Sequence, residues 1–428
     1  GGDERLGWRS GQTTRIVRSN CLKAHRFRGF EALLPETTTA MTAASSPVSS
    51  LEDIGGDEQE VTPLELFFDL VFVFAMTQVS SFLANNLTWP GIVRGVGLLA
   101  VLWWAWVTYS WLTNAIPAEE ALPARIVLLT AMAAMLVVAL AVPDAFGDDG
   151  VLFGVAYFAV RVLHVVLYAL ATDPDTRGAI LRLAPGFLLG PVLLIPAGFL
   201  DGSIQAVFWL VALALDYGVP LVRGVSGFSI QARHFVERYR LILIIALGES
   251  IVAIGVGVNA SDLALTPTVI VAALSGILLV FALWWLYFDY VVLAAERRLV
   301  SATGTERAAL ARDSYSYLHL PMVAGIIFTA LGIEQTLTHV GEPLATIPAM
   351  ALGGGAALYL IGHNLFRFRD AGTVSVPRFV VAAGACLVIP LSMSVSALVS
   401  LSVLMALFVG LSTFETARSE LRQTIREG

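Results

Sequence analysis

Ionisable side chains interrupt the long apolar stretches of this sequence, and their spacing limits what they could do. Glu65 and Asp69 are four residues apart in VTPLELFFDLVFVFAMTQ, so they share one face of a helix. Glu249 follows Arg238 by eleven residues, nearly on one helix face and about 17 Å farther along the axis. An ionised carboxylate in hydrocarbon costs at least roughly 2.5–3.5 kcal/mol unless it is paired or hydrated. The pattern therefore indicates acids that bind a proton or a cation, or acids held in a buried network.

Arg161 falls near the middle of an apolar stretch, one helical turn before His164. A guanidinium at that depth needs a carboxylate partner, and we expect Asp69 or Glu249 to supply it. His164 would then serve as a proton relay. The alternative is a structural network, in which Arg161 pairs with one acid and His164 bonds to a backbone carbonyl. Further charged side chains are expected toward the cytoplasmic ends of the spans: Asp216, Asp289, and a collar of His234, Glu237, Arg238 and Arg240.

Patterns that would indicate catalysis or metal binding are weak. Gly224 to Gly227 read GVSG, the GxSG shape of intramembrane serine proteases, but they fall in a loop rather than inside a helix bundle. His234 and Glu237 are one turn apart, and the sequence offers no third metal ligand near them. The HExxH, GxGD and phosphate-loop motifs are absent from the sequence. We therefore expect no enzymatic activity, no resident metal and no cofactor.

The elements that carry these residues are apolar stretches of about 20 residues, the length that crosses a bilayer as a helix. The chain is 57% hydrophobic and 14% charged, whereas soluble domains carry about 25% charged residues. Because hydrocarbon offers the backbone no partner, such stretches predict helices. The predicted fold class is all-α, a polytopic membrane bundle of about twelve spans. They are expected at about 62–83, 91–113, 124–143, 150–172, 180–200, 204–223, 236–258, 266–293, 315–334, 345–366, 376–393 and 397–414, the last two divided by the Ser-rich turn SMSVSA.

The arginines predict the orientation of the bundle. If the N-terminus is cytoplasmic, seventeen arginines after Met41 fall in cytoplasmic segments and only Arg94 falls outside. Basic residues gather on the cytoplasmic side of membrane proteins. We therefore expect an even number of spans, a location in the cell membrane and cytoplasmic N- and C-termini.

The chain is also predicted to contain two parallel six-helix repeats. The second span of each half carries a tryptophan pair, in LLAVLWWAWVTY and LLVFALWWLYFDY. Superposing these pairs brings Asp69 to within one residue of Glu249. An even number of helices in each repeat gives parallel repeats around an axis along the membrane normal. We therefore expect the two acids at matching depth beside that axis.

The N-terminal 40 residues differ from the rest of the chain. They contain no Met and are basic, without an apolar run. We expect an extension that is not normally translated, with Met41 as the start, and the alternative is a transit peptide. The expected domains are a disordered segment at 1–60, the first repeat at 61–230, the second repeat at 231–415 and a cytoplasmic tail at 416–428.

Two stretches resemble the low temperature requirement A family of bacterial membrane proteins. They are ELFFDLVFVFA (Glu65 to Ala75) and HFVERYRLILIIALGESIVAIG (His234 to Gly255), and WWLYFD (Trp284 to Asp289) fits the same family. The resemblance extends over the chain from about residue 60. It implies a polytopic inner-membrane protein of a family named for a growth phenotype in the cold. It does not imply a particular reaction or substrate.

FFDLVFVFAMT is also similar to the FSDxVFAxAxT pattern that opens each six-helix unit of a potassium-channel family of bacteria and lysosomes. Some of those channels have two six-helix repeats with pore-lining first helices. This sequence departs from the pattern, because Phe68 replaces a Ser, Glu65 replaces an upstream Arg or Lys, and the second half has LGES instead of FSD. These departures argue against a potassium-selective hydrophobic filter.

Two functions of different classes follow from the sequence. The first is a secondary transporter or an ion- or proton-conducting protein, and the second is a non-transporting membrane protein that supports or senses the envelope in the cold. The expected partners are the lipid bilayer and a small solute or ion; a homo-oligomer is left open and no nucleic acid is expected. The residues expected to line the pathway are Glu65, Asp69, Arg161, His164, Arg238, Glu249 and Asp289.

Overall fold

The computed structural model describes residues 61–116, 121–260, 265–289 and 291–418, and no strand occurs in these ranges. A short 3₁₀ turn (Val142–Asp144) follows α3, and a π-helical turn (Ala311–Tyr317) joins α10 to α11. The predicted segment 1–60 lies outside the described residues, as does most of the predicted tail. The α-helices are α1 (Pro63–Asn85), α2 (Trp89–Ala115), α3 (Leu122–Ala141), α4 (Gly150–Ala171), α5 (Pro174–Ala197), α6 (Gly202–Arg223), α7 (Ala232–Ala260), α8 (Pro267–Phe288), α9 (Val291–Ser301), α10 (Gly304–Leu310), α11 (His319–Thr338), α12 (Thr346–Ala371), α13 (Val376–Ser392) and α14 (Ala397–Arg418).

The all-α fold class and the number of spans are confirmed. Within the described ranges, eleven helical segments are long and apolar enough to cross a membrane, and α13 is a shorter apolar helix of 17 residues. The division of the last apolar stretch is also confirmed, since α13 ends at Ser392 and α14 begins at Ala397.

Two short helices, α9 and α10, lie where the sequence analysis placed only a loop between spans. In α9 the apolar residues Val292, Ala295 and Leu299 are buried, whereas Arg297 is exposed. Spacings of three and four residues put the buried side chains on one face. The segment escaped prediction because it is amphipathic and too polar to register as a span.

Local signals in the sequence explain how α1 begins. Thr62 is the N-cap residue, and its hydroxyl accepts from the backbone N–H of Glu65 at 3.3 Å. The Glu65 carboxylate accepts in return from the backbone N–H of Thr62 at 3.0 Å. This reciprocal capping box, with Pro63 in the first turn, fixes the orientation of the Glu65 side chain. Glu65, which completes the capping box of α1, is therefore also one of the predicted pathway acids.

The helix α2 lies at the centre of the described bundle. It packs against α1, α4, α6, α7 and α11. From Leu98 to Asn114 nearly every side chain is buried, including Trp106, Thr108 and Asn114. A helix that is buried on all sides can present polar groups to several neighbours at once. Residues of α2 hydrogen-bond to both buried charge clusters described below, Trp106 and Asn114 to one and Thr108 to the other.

Neighbouring helices make contacts in a similar order in the two halves of the chain. In the first half α1 packs on α2 and α3, and α3 to α6 pack in succession. In the second half α7 packs on α8 and α11, and α11 to α14 pack in succession. The tryptophan pairs differ in environment, since Trp103 and Trp104 are buried whereas Trp284 and Trp285 are exposed. The two repeats remain a prediction.

Glycines bring α11 and α12 into backbone contact. A Cβ atom at Gly332 would lie 2.4 Å from the Cα of Leu352, and one at Gly325 would lie 2.6 Å from the backbone N of Tyr359. Small residues at such crossings allow the close packing that holds membrane helices together. The second half is therefore anchored by a helix pair that tolerates no larger side chain at these positions.

Candidate functional site

The first turns of α1 and α7 meet, and the two helices then run side by side in the same direction. Three contacts at increasing residue number define this interface, which we call the α1–α7 seam: Glu65 with His234, Asp69 with Arg238, and Thr77 with Glu249. Because both residue numbers rise together, the helices are parallel. The seam places four of the seven predicted pathway residues along one interface.

Four buried side chains at the start of the seam form the seam cluster: Glu65, Asp69, His234 and Arg238. Their exposed fractions are 2%, 1%, 1% and 0%, respectively. Asp69 Oδ1 accepts from Arg238 Nη2 at 2.8 Å and from Trp106 Nε1 at 2.9 Å. Glu65 Oε1 lies 4.0 Å from Arg238 Nη1. The Arg238 guanidinium also lies over the Trp106 ring, 5.8 Å from its centroid, a geometry that favours a cation.

The protonation of His234 follows from its neighbour Asn114. The side-chain oxygen of Asn114 accepts from the backbone N–H of Gln231 at 2.9 Å, so its amide NH₂ must be the group that faces His234 Nδ1, also at 2.9 Å. Since that NH₂ group only donates, Nδ1 accepts and carries no hydrogen. The ring proton is therefore on Nε2, which donates to Glu65 Oε2 at 3.1 Å. His234 is neutral in this arrangement.

The seam cluster therefore contains more acid than base. Glu65 and Asp69 are two carboxylates, Arg238 is one guanidinium, and His234 contributes no charge in this tautomer. Asp69 Oδ2 has no hydrogen-bond partner. A buried charge that no opposite charge compensates destabilises the folded protein by several kcal/mol, about as much as removing one partner of a buried ion pair. One acid in this cluster must accordingly take a proton or be matched by another cation.

Arg161 belongs to a second cluster, and its predicted partner was wrong. Its Nη2 donates to Asp216 Oδ1 at 3.1 Å and its Nη1 to Thr108 Oγ1 at 2.8 Å. The Tyr157 hydroxyl donates to Asp216 Oδ2 at 2.9 Å, and the guanidinium lies 4.9 Å from the centroid of the Phe187 ring. Asp216 on α6 takes the place expected for Asp69 or Glu249, because α4 faces α6 and α2 at this level. This cluster is balanced, with one arginine and one aspartate.

His164 lies one turn beyond Arg161 and is fully buried among aromatic rings. Its ring centroid is 5.6 Å from that of Tyr109 and 5.5 Å from that of Tyr168. It borders a cavity of about 40 Å³, which accommodates water molecules rather than a larger solute. The structure therefore brings His164 beside the balanced cluster and away from the seam, and its role as a relay remains a prediction.

Glu249 lies farther along the seam than expected. Its Oε2 lies 2.8 Å from the Thr77 hydroxyl oxygen, within hydrogen-bond distance. Thr77 follows Asp69 by eight residues, so Glu249 lies about 12 Å beyond Asp69 along the helix axis. The expectation of two acids at matching depth is wrong, because the registers of α1 and α7 differ from the one that the tryptophan pairs suggested. The two acids occupy successive levels of one interface.

The remaining charged residues singled out in the sequence lie outside the seam. Glu237 is exposed, and Arg240 pairs with Glu296 at 2.6 Å at the bundle surface. The predicted collar is therefore wrong for His234 and Arg238, which turn inward to the seam. Asp289 lies half-buried at the C-terminal end of α8, outside the seam.

Several residues of the site escaped the sequence analysis. Trp106 and Asn114 lie in an apolar helix where nothing in the sequence marks them as partners of charged groups. Thr77 is an ordinary residue for a membrane helix. Glu334 on α11 is a further acid within electrostatic range of Glu249, and its backbone oxygen lies against Gly257 of α7. An acid inside the ninth span was a signal that could have been noted.

The candidate catalytic and metal patterns do not assemble into sites. Arg182 donates to the Ser226 backbone oxygen at 2.7 Å and lies 3.3 Å from its hydroxyl, in an exposed loop. His234 is buried whereas Glu237 is exposed, so they do not face a common ligand. Within the described part of the chain, no group of three or more His, Cys, Asp or Glu residues could hold a metal ion.

Comparison with known proteins identifies relatives of this chain. The family model described as bacterial low temperature requirement A protein (LtrA) matches residues 60–413. An uncharacterized protein of Rhizobium meliloti (strain 1021) is 34% identical over 319 residues, which are 72% of this chain and 76% of the relative. No solved structure matches the chain. The resemblance to the two-repeat potassium channels is not borne out by these comparisons.

Proposed function

We propose that this chain, which belongs to the bacterial low temperature requirement A family, is a secondary transporter or ion-conducting protein whose intramembrane carboxylates bind a proton or another small cation. The α1–α7 seam is the pathway in this proposal. Glu65 and Asp69 bind the cation near the start of the seam, and Glu249 is the next acid along it. Arg238 holds the two acids in place and limits how much positive charge the cluster takes up.

The observation that carries the proposal is the excess of acid in the seam cluster. The other deeply buried arginines in the described part of the chain have matched partners, since Arg161 pairs with Asp216 and Arg378 pairs with Glu415 at 2.7 Å. Matched pairs stabilise a bundle without any need for a mobile ion. Arg238 instead faces two carboxylates. Ionisable groups inside a membrane that are not fully paired mark ion pathways and proton relays.

The orientation and the repeat support the same proposal. The arginine bias favours cytoplasmic termini in the cell membrane, an orientation that would put the seam cluster near the cytoplasmic face and Glu249 toward the middle of the membrane. Parallel repeats would place α1 and α7, the first helix of each half, against each other at the central axis. We further propose that the protein is not an enzyme and that its partners are lipid and a small ion rather than nucleic acid.

A second candidate function is favoured by the position of Arg238. Its hydrogen bond to Asp69 joins α7 to α1 and thereby ties the two halves of the chain together. A non-transporting protein that supports or senses the envelope in the cold would use the seam cluster only for that purpose. In this case replacing Asp69 would lower the folding yield and leave no ion flux to lose.

Replacing Asp69 by Asn tests the proposal. Asparagine keeps an oxygen that accepts from Arg238 and Trp106 but removes the negative charge. We expect ion or proton flux into liposomes to fall roughly tenfold or more, since a cation without its carboxylate loses more than about 1.4 kcal/mol in the apolar interior. Purified protein is reconstituted, a gradient of protons, Na⁺ or K⁺ is imposed, and flux is followed with an ion-sensitive dye.

The matched control is Glu237→Gln, which removes an exposed carboxylate from α7. It should leave the flux unchanged. Wild-type flux in Asp69→Asn would remove this acid from the pathway. A wild-type protein that moves none of the three ions across well-sealed liposomes would contradict the proposal as a whole.

A further inference from the structure

Glu249 is a buried acid that has no basic partner among the residues that the structure describes. Its exposed fraction is 5%, and within the described residues no Arg or His forms an ion pair with it. Its hydrogen-bond partner is the hydroxyl of Thr77. A hydroxyl is too weak a partner to compensate an ionised carboxylate in a membrane interior. The carboxyl must therefore be neutralised in another way.

The single hydroxyl hydrogen of Thr77 indicates how the Glu249 carboxyl is neutralised. The Thr77 hydroxyl has one hydrogen but two oxygen neighbours, Glu249 Oε2 at 2.8 Å and the backbone oxygen of Val73 at 3.2 Å. A single hydroxyl hydrogen donates fully to only one of them. Both hydrogen bonds form at once if Glu249 carries a proton on Oε2. The carboxylic acid then donates to Thr77, and Thr77 donates to Val73.

The surroundings of Glu249 are arranged to exchange that proton. Ser80, one turn beyond Thr77, lies beside the same carboxyl, and its buried hydroxyl makes no hydrogen bond to any other group of the described residues. It is available to accept from the acid or to pass a proton onward. Glu334 of α11 lies within electrostatic range and is half-buried, nearer the far end of the seam. The seam therefore holds acids at two successive levels, and α11 adds a third acid beside its far end.

The titratable and charged groups on the helices that pack against α7 lie mainly at a different depth along α7 from Glu249. They cluster around residues 234–240 of α7, about 14 Å or more before Glu249 along the axis. Glu334 is the acid that faces Glu249 from a neighbouring helix. The groups at the other level are Glu65, Asp69, Tyr287, Glu296, Tyr315 and His319.

We propose that Glu249 is a proton-binding site in the α1–α7 seam, held as a neutral carboxylic acid that donates to Thr77 and exchanges its proton along the seam. The neutral acid stands on the geometry alone. The exchange along the seam deepens the proposed function, because it names the proton as the ion that this level accepts. The proton moves as H⁺ from the Glu249 carboxyl to an acceptor oxygen, and the carboxyl becomes a carboxylate until it is protonated again.

Infrared difference spectroscopy of the purified protein in lipid nanodiscs at neutral pH tests this site. The spectrum of the wild type minus that of Glu249→Gln should show the carbonyl stretch of one protonated carboxylic acid. The same subtraction with Glu237→Gln, an exposed acid on the same helix, should not show it. Thr77→Val keeps the carboxyl but removes its acceptor, so it should shift the frequency of the band without abolishing it. Transfer to D₂O should shift the wild-type band if the proton exchanges with solvent.

The outcomes separate this inference from the proposed function. The Glu249 band together with proton flux in liposomes supports both. The band without any flux leaves the protonated acid in place and removes the transport proposal. Flux in the absence of a Glu249 band overturns the present inference, as does a Thr77→Val spectrum identical to that of the wild type. If Glu249→Gln fails to fold, the Thr77→Val spectrum decides.

Discussion

Arg161→Met is expected to lower the free energy of unfolding by roughly 3–5 kcal/mol, the loss typical of breaking a buried ion pair. The variant removes both hydrogen bonds of the guanidinium, to Asp216 at 3.1 Å and to Thr108 at 2.8 Å. It leaves Asp216 buried with only the Tyr157 hydroxyl as a donor. Thermal and denaturant unfolding of the purified protein in detergent measures the loss.

A second substitution should restore much of the stability. In Arg161→Met/Asp216→Asn the uncompensated charge is absent, and asparagine still accepts from Tyr157. We expect the double variant to recover at least half of the lost free energy, since most of the cost lies in the stranded carboxylate. Arg94→Met, which replaces an exposed arginine, is the control and should change stability by less than about 1 kcal/mol. Wild-type stability in Arg161→Met would show that this pair does not hold α4, α6 and α2 together.

Arg238→Met is expected to have an effect of similar size, roughly 3–5 kcal/mol, and in addition to change transport. It leaves Glu65 and Asp69 without their shared guanidinium and removes a cation from the face of Trp106. Two buried acids that face no base must both take up protons or cations. Unfolding in detergent and flux in liposomes are measured on the same preparation.

Two variants decide whether charge or shape causes the effect of Arg238→Met. Arg238→Lys keeps the positive charge, although lysine cannot reproduce the planar guanidinium. It should therefore keep more than half of the free energy of unfolding that Arg238→Met loses. Arg240→Met is the control two residues along α7, because its half-exposed pair with Glu296 is worth only about 0–1 kcal/mol. If Arg238→Met and Arg240→Met behave alike, the seam cluster does not stabilise the bundle.

Most of the bundle could be predicted because a single physical constraint acts along the whole chain. Apolar stretches of spanning length must be helical in hydrocarbon, so the spans follow from composition alone. The start of α1 could also be anticipated, since Thr62, Pro63 and Glu65 form a local capping pattern. The short helices α9 and α10 escaped because their burial depends on neighbours that are distant in the sequence.

The partners of the buried charges could not be predicted in the same way. Pairing of Arg161 with Asp216 depends on how α4 and α6 are rotated toward each other, and helix periodicity does not reveal that rotation. The level of Glu249 depends on register. Contacts across the seam join residues 169 positions apart at Asp69 and 172 apart at Thr77. Superposing the tryptophan pairs of the two halves gives a sequence offset about ten residues larger than the offset across the seam. That larger offset wrongly predicted Glu249 at the level of Asp69.

Site residues without charge were the hardest to anticipate. Asn114 sets the tautomer of His234, and Trp106 donates to Asp69, yet both lie in an apolar helix that carries no charged residue near them. Their roles appear only once α2 is placed between α1, α4 and α7. The excess of acid in the seam cluster is therefore a property of the assembled bundle, although each of its members can be read in the sequence.

Glu65→Gln tests the central claim most directly, because it makes the seam cluster one acid against one base. Glutamine still completes the capping box and accepts from His234. We predict a melting temperature equal to or above that of the wild type, together with a loss of ion or proton flux in liposomes from the same preparation. A lower melting temperature with wild-type flux would contradict the account, since it would show that the second acid serves structure and not ion movement.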